Sequence, residues 1–424
     1  MWKNILWFLM SLFLLISCEN SQKSGELTSC SSNSDCQKGY NCFFEKCYSS
    51  DAFISTWFLT TSDNTVQLPL VESGTYDFTV DWGDGEKEKI TNSNYLDKLP
   101  HVYEENGGKY IVSIKGTIEG WQFCKINGGP FFCDESDANK IIEVAQWGSL
   151  SFGDTEAQFG YCQNLELTAF DSPNLSKTTS LRAAFFGCQA MLPLGTMFSD
   201  WDVSNITNMS LMFADANNFN QDISGWDVSK VTNMSGMFLG TGFNQDISSW
   251  DVSNVKDMSD MFAYSAFNSN LSSWDVSNVE NMSMMFAQTD GSNGISEWDV
   301  SNVKDMGGMF WCASGIDDIS GWDVSSVTDM GGMFAGAKFH SDISGWDVSN
   351  VKDMDGMFVI DEENPGLGSE IENYDGVLIN WSKLSLQKDV VFDAASTRYS
   401  ETAEDARNKI INDFNWTIID GGKL

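Results

Sequence analysis

Through the second half of the chain, apolar and polar positions recur in one fixed register. The phrase W-D-V-S-N-V-x-x-M-x-x-M-F returns seven times, at Trp201, Trp226, Trp250, Trp274, Trp298, Trp322 and Trp346. The first step is 25 residues and each later step is 24. A period in the twenties predicts a repeat solenoid, in which neighbouring units complete one another's core. With the tryptophan as position zero, apolar residues stand at −3 (Phe198, Ile223, Ile247, Leu271, Ile295, Ile319, Ile343) and at +2 (Val203, Val228, Val252, Val276, Val300, Val324, Val348). The alternation from 0 to +2 predicts a short parallel strand in each repeat. Inward positions continue at +5, +8, +11 and +12, and steps of three predict a tight helical turn that returns the chain. Fourteen of the 19 methionines occupy +8 and +11. They read as adaptable core filler rather than a metal box, because they run in register with Val and Phe.

The −3, 0, +2 spacing is the L-x-x-L-x-L signature of leucine-rich repeats, so the expected fold is leucine-rich-repeat-like over 146–383. Degenerate turns precede the first full repeat. Phe170-Asp171-Ser172-Pro173-Asn174-Leu175 echoes W-D-V-S-N-V, and Leu181 to Phe185 echoes M-x-x-M-F. Gln146-Trp147-Gly148 and the stretch from Phe159 predict one more turn. Cys162 and Cys188 stand in equivalent places on neighbouring turns and are candidates for a disulfide across the stack; Cys312 is then the odd thiol, expected to be buried. After Phe358 an insertion around Asp361 to Gly366 interrupts the period, and Leu378-x-x-Trp381 restores the −3/0 spacing for a last turn. Residues 384–424 predict a cap: a strand at Val390-Val391-Phe392, a helix from Ser400 to about Phe414, and a closing strand from Trp416.

Ahead of the repeats, strand-like runs at 53–60, 75–82, 109–114 and 121–123 alternate with turns. Val80-Asp81-Trp82-Gly83-Asp84-Gly85, then His101-Val102-Tyr103, then Gly108-Lys109-Tyr110-Ile111-Val112 resemble the polycystic-kidney-disease (PKD) domain. The resemblance implies a small β-sandwich over 51–123. Asp81, Asp84 and His101 contain an acid–base pair in principle, but Gly83-Asp84-Gly85 is a turn sequence and the resemblance makes His-x-Tyr a strand start. Cys124 and Cys133 flank Asn127-Gly128-Gly129-Pro130 and predict a disulfide-closed hairpin within a linker, 124–145.

Residues 1–17 hold one lysine before a dozen apolar residues, too short a run to span a membrane and suited to an export signal. Leu15-Ile16-Ser17-Cys18 resembles a bacterial lipobox, which implies cleavage before Cys18 and its lipidation, and so a membrane anchor. Residues 18–50 read as a tether and a module of Cys30, Cys36, Cys42 and Cys47. In an exported chain these predict two disulfides, and their spacing fits zinc poorly. Together with the W-D-V-S-N-V repeats and the W-T-I-x-D-G-G ending, these features resemble the BspA-like leucine-rich repeat surface lipoproteins. The resemblance implies exposure at the outer membrane or cell surface of a bacterial envelope and, in some members, adhesion to proteins of another cell.

Charge narrows the partners. A net charge of −36 argues against nucleic acid, which needs a basic footprint. Position +1 is Asp in every repeat: Asp202, Asp227, Asp251, Asp275, Asp299, Asp323 and Asp347. On a concave sheet these carboxylates form a ladder at ~5 Å spacing, repelling by about 1 kcal/mol per neighbouring pair in a water-like dielectric and ~3 at an effective value of about 20. Three readings stand: Ca²⁺ bridges the ladder, a basic or polar partner binds it, or each Asp hydrogen-bonds locally. Asn at +4 and Asn or Asp at +7 suit turn bonding. The variable segments 214–221, 239–245, 263–270, 287–293 and 311–317 are a second place for specificity. No cofactor is expected. The expected function is binding: an adhesin or interaction scaffold for surface proteins or glycans of another cell or matrix. A structural surface coat is the alternative, and a Ca²⁺-dependent polysaccharide-active enzyme the less favoured one, because a catalytic site should break the uniform ladder with a paired acid or base.

Overall fold

The computed structural model describes residues 30–104, 107–125, 132–133, 135–191, 198–291, 293–359 and 371–424. The expected export signal, Cys18, the tether to residue 29, the hairpin turn at 127–130 and the insertion at 361–366 lie outside the described residues. The chain divides into two units, Met1–Ser49 and Ser50–Leu424.

The first unit is the four-cysteine module. Strands β1 (Tyr40–Phe43) and β2 (Lys46–Ser49) pair as an antiparallel hairpin. Disulfides Cys30–Cys42 and Cys36–Cys47 close it. A module this short has little core of its own, and two cross-links restrict its unfolded chain.

The second unit begins with a seven-stranded sheet. Its members are β3 (Phe53–Leu59), β5 (Thr75–Asp81), β6 (Lys87–Thr91), β8 (Gly108–Glu119), β11 (Ile141–Gln146), β12 (Leu150–Ser151) and β13 (Glu166–Leu167), in the order β13-β11-β3-β8-β5-β6 with β12 on β8. Strands β4 (Thr65–Val66) and β7 (His101–Val102) form a separate pair, as do β9 (Cys124–Lys125) and β10 (Phe132–Cys133). The sheet therefore extends past residue 123. Residues 141–146, expected in the linker, supply the strand between β3 and β13. Their alternation is masked because Ile141, Val144 and Ala145 are all buried, as befits a strand covered on both faces. Parallel pairing of β12 with β8, and of Ser151 with Asn174, carries the hydrogen bonding from this sheet towards the repeats.

In the repeat region the inward positions are as expected. The residues at −3, 0, +2, +5, +8, +11 and +12 are buried from Phe198 to Phe358. Nine phenylalanines form one column: Phe159, Phe185, Phe213, Phe238, Phe262, Phe286, Phe310, Phe334 and Phe358, with successive rings 5.2–6.1 Å apart. Phe159 and Phe185 belong to the degenerate turns, which therefore join the same stack. The variable segments also contribute to it. Phe219, Phe243, Phe267 and Phe339 lie flat on the column at 3.7–4.0 Å.

The tryptophans tie one repeat to the next. Trp226 Nε1 donates to the Phe198 carbonyl at 2.6 Å. Trp250, Trp274, Trp298, Trp322 and Trp346 make the same bond to Ile223, Ile247, Leu271, Ile295 and Ile319 at 3.0–3.3 Å. Each indole thus buries a large ring and satisfies its one polar atom on the preceding unit.

The strand expected at −3, 0, +2 does not form among the described residues. The tryptophan N–H instead closes on its own −3 carbonyl (Trp226 to Ile223 at 3.2 Å), and the +5 N–H closes on the +2 carbonyl (Val231 to Val228 at 2.8 Å). Two turns replace one extended stretch. Parallel pairing moves to +7, where Asn208, Asn233, Asp257, Asn281, Asp305, Asp329 and Asp353 bridge in succession. From +8 onward the backbone N–H groups alternate. Met209, Leu211, Phe213 and Asp215 donate to Asn233, Ser235, Met237 and Leu239 of the next repeat, whereas Met212, Ala214 and Ala216 close turns on Met209, Leu211 and Phe213. The helical turn expected there is therefore a run of linked turns. It requires a left-handed residue at +10 and +14, filled in the second repeat by Gly236 (φ 60°) and Gly240 (φ 68°).

The cap follows the sequence closely, with one correction. Leu378 and Trp381 lie on helix α1 (Tyr374–Trp381), not on a last repeat turn. Tyr374, Val377, Leu378 and Trp381 are its buried face, and the i, i+3, i+4, i+7 spacing of an amphipathic helix contains the same −3/0 interval. Strand β14 (Val391–Asp393) pairs in parallel with β15 (Thr417–Ile419), and Met354 bridges Phe392. Helix α2 (Glu404–Phe414) follows Ser400, whose hydroxyl accepts from the Thr402 N–H.

Because Trp274 sits in the middle of the stack, Trp274→Ala opens a cavity between intact neighbours. A loss of ~3–5 kcal/mol is expected, read as a lowered denaturation midpoint; an unchanged midpoint would contradict the packing described.

Candidate functional site

One local device recurs at three corners of the repeat. At +1, Oδ1 of Asp202, Asp227, Asp251, Asp275 and Asp299 accepts the backbone N–H of the Ser two residues on at 3.1–3.2 Å and its hydroxyl at 2.6 Å. Asp323 takes the Ser325 N–H at 3.0 Å and Asp347 that of Ser349. At −4, Asp222, Asp246, Asn270, Asp318 and Asp342 hold the N–H two residues on in the same way. At +7, Asn208, Asn233, Asp257, Asn281, Asp305, Asp329 and Asp353 do so again. A short acceptor side chain competes with secondary structure by bending the backbone back on itself, and this is why W-D-V turns rather than extends.

The predicted ladder is therefore three rows of corner residues. The +1 carboxylates are exposed, as expected, but lie on turns instead of a concave sheet. The Ser204, Ser229, Ser277 and Ser325 bonds hold Asp202, Asp227, Asp275 and Asp323 below the ordinary carboxylate range. The local-bonding reading is the one these contacts support. A cation site built from protein carboxylates alone needs several of them to converge. Among the described residues the one set of acidic, His or Cys side chains with ligand atoms mutually within 4.8 Å is Cys30, Cys36 and Cys47, all of them disulfide-bonded. Asn at +4 spans repeats: Asn254, Asn278, Asn302 and Asn350 donate Nδ2 to the Ser229, Ser253, Ser277 and Ser325 carbonyls at 2.7–2.8 Å.

The remaining candidates divide. Cys124 is disulfide-bonded, and its partner in the hairpin register is Cys133. Cys162 and Cys188 are buried free thiols and do not form the proposed cross-stack bridge. Cys188 Sγ donates instead to the Phe159 carbonyl at 3.1 Å, and burial pushes both thiols up; they act as small apolar fillers. Cys312 is half-buried rather than enclosed, because it occupies a +14 corner at φ 54°. His101 Nε2 lies 2.8 Å from Asp84 Oδ2, and its ring stacks on Trp82 at 4.4 Å. Tyr103 Oη donates to the Trp82 carbonyl at 3.0 Å. Burial raises the Asp84 carboxyl, but the bonds from His101 and the Glu86 N–H outweigh it and the net direction is down. The pair thus staples the turn to the strand.

Two groups were not singled out by the periodicity. Tyr264 and Trp311 lie within the variable segments 263–270 and 311–317 named above, where most other repeats carry small, polar or aliphatic residues; their aromatic departure was the available signal. The +10 and +14 corners also hold acids: partial desolvation pushes the half-buried Asp260 and the more exposed Asp215 above the ordinary range, with Asp257 adding to the effect on Asp260.

The sign for Asp260 follows from that direction. A carboxyl raised in the folded state costs stability above its folded pKa, and the cost vanishes below the unfolded value. Asp260→Asn, a residue that tolerates φ 56°, is expected to raise the thermal midpoint at pH 7, with the gain closing as the pH falls towards 4. For Asp275 the sign reverses: its contribution is present above the ordinary carboxylate range and is lost as the pH falls through its lowered value. Asp275→Ala should lower the midpoint at pH 7.

The family model described as "Mycoplasma protein of unknown function, DUF285" matches residues 153–265, 179–293, 230–316 and 289–375. No curated protein and no solved structure matches the chain.

Proposed function

The chain belongs to the DUF285 repeat family, a family of unknown function, and on that premise we propose that it is a lipid-anchored cell-surface binding protein. In this reading the repeats form a leucine-rich-repeat-like solenoid of the BspA-like kind. A PKD-like domain carries it, and surface proteins or glycans of another cell or matrix bind its flank without catalysis. The observation that carries the reading is the separation of core from surface. Every repeat buries the same Trp, Val, Met and Phe, while the corner rows present regular side chains outward. Such a frame holds a long surface in register without asking the exposed residues to stabilise it. The Trp82–His101–Tyr103 cluster supports the PKD-like assignment. The lipobox-like Leu15-Ile16-Ser17-Cys18 and the two disulfides of the module support export and anchoring.

The test is the full chain displayed on cells, set against a panel of matrix proteins and glycans with and without Ca²⁺. Saturable capture, lost when the chain is removed from the surface, is expected. Concentration-dependent self-association without capture would replace the adhesin with a structural coat. Cys18→Ser should abolish fatty-acid labelling; persistent labelling would remove the anchor from the proposal.

A further inference from the structure

In the +7 row the serine hydroxyls stop after the fourth repeat, and the change makes a groove. In the second, third and fourth repeats, Ser235, Ser259 and Ser283 at +9 donate their hydroxyls to Asn233, Asp257 and Asn281 at 2.8 Å. In the fifth and sixth, +9 and +10 are Gly307-Gly308 and Gly331-Gly332. Asp305 and Asp329 keep their backbone bonds at 2.9 Å but have no serine hydroxyl above them. Among the described residues no protein donor reaches Oδ2 of Asp305, Asp329 or Asp353. The glycines open a cleft of about 600 Å³ over Asp305 and Asp329, lined also by Ser283, Met284, Tyr264 and Trp311, with Asp353 next in the row beyond its lining.

The two aromatic residues are specific to this place. Position +13 is Ala214, Ala263, Ala287 and Ala335 in four repeats and aliphatic Leu239 and Val359 in two, but aromatic only here, at Trp311. Tyr264 is 47% exposed and holds φ 57° at a corner where two other repeats use glycine. The rings meet edge to face at 6.1 Å. Met284 lies over the backbone beside them, so that a Cβ on Gly308 would stand 2.2 Å from its Sδ. Burial, together with Asp305 and Asp353 on either side, outweighs the Gly331 bond and pushes the Asp329 carboxyl up.

We propose that this groove is a binding site for an extended peptide segment carrying arginine side chains, with a guanidinium against Trp311 and Tyr264 and its donors on Asp305, Asp329 and Asp353. The inference rests on the reading of the repeats as a binding surface and names the site and the partner's chemistry. Three acids in file with free oxygens need positive charge, which a neutral sugar does not supply. They stand in a row rather than around a point, since no three carboxylates converge within 4.8 Å, so a linear cation fits better than one metal ion. A planar cation also stacks on an aromatic face and pairs with carboxylates by paired N–H donors.

The experiment uses the full chain and a labelled Gly-Arg-Gly-Arg-Gly-Arg peptide at physiological salt, with a Gly-Gln counterpart and Ca²⁺ as competitors. Trp311→Ala and Asp329→Asn should each weaken binding by about five- to tenfold. Gly331→Ser, which restores the hydroxyl present in other repeats, should do the same without disturbing the fold. Asp299→Asn, in the +1 row, should stay within about twofold. Equal loss in Asp299→Asn would show diffuse attraction to an acidic protein and overturn the site. So would unchanged binding in Gly331→Ser, equal binding of the Gln peptide, or displacement by micromolar Ca²⁺. Capture of matrix proteins or glycans that persists in Trp311→Ala while the Arg peptide is unaffected by any variant would sink this site alone; capture of nothing would sink the binding reading as well.

Discussion

An acceptor side chain folded back onto the N–H two residues on is the contact from which the repeat region is built. It occurs at −4, +1 and +7, and each occurrence turns the backbone where a strand would run straight. The residues between corners are then aimed at the axis without a helix or a ladder of strands to aim them. The acidity of the chain is in large part a by-product. Aspartate is chosen at these corners for reach and hydrogen bonding, and the charge comes with it. Each +1 carboxylate is hydrogen-bonded to the serine two residues on, so the charge sits on groups that are locally satisfied where it accumulates.

Once the corners are set, two further interactions join the units. The alternating N–H groups from +8 onward leave every second donor and the carbonyls opposite them facing the neighbouring repeat. Together with the turn closures, they account for the polar backbone that a non-helical core would otherwise strand. The tryptophan adds the directional link, from its indole to the carbonyl of the preceding −3 residue. Trp201 is the informative exception. Its Nε1 is buried without a hydrogen-bond partner, and the turn before it is a degenerate one. The junction between the irregular and regular turns is where the repeat pattern is imperfect.

Much of this was legible from the chain. The inward positions followed from periodicity, since burial leaves a direct mark on residue type. The two disulfides of the small module and the cap's helix and strands were marked by cysteine spacing, a serine cap and β-rich runs, whereas the module's hairpin was not. The errors share one origin: spacing records which side chains point inward, not how the backbone travels between them. Isoleucine, tryptophan and valine at −3, 0 and +2 are compatible with a strand or with two turns, and Asp–Ser hydrogen bonds decide for turns. Leu378 and Trp381 fit a repeat or a helix, and Tyr374 with Val377 decide for the helix. Cys162 and Cys188 are equivalent by position but face a packed interior. The groove at Asp329 was hidden because it is written in departures from the repeat, Gly-Gly for Ser-X and Trp for Ala, whereas the pattern itself drew the reading.

The bonds of each unit reach no further than its two neighbours, and this has a genetic corollary. Seven similar stretches of 24 or 25 residues invite unequal recombination, and a gained or lost copy leaves the shared core contacts between the units that then meet, as long as the initiating sheet and the terminal cap remain. The length of the exposed flank is therefore heritable in whole-number steps of ~4.8 Å, independent of point substitution. Variation between lineages in copy number would tune how far the molecule reaches, while substitutions at the +9, +10, +13 and +14 corners alter what it presents.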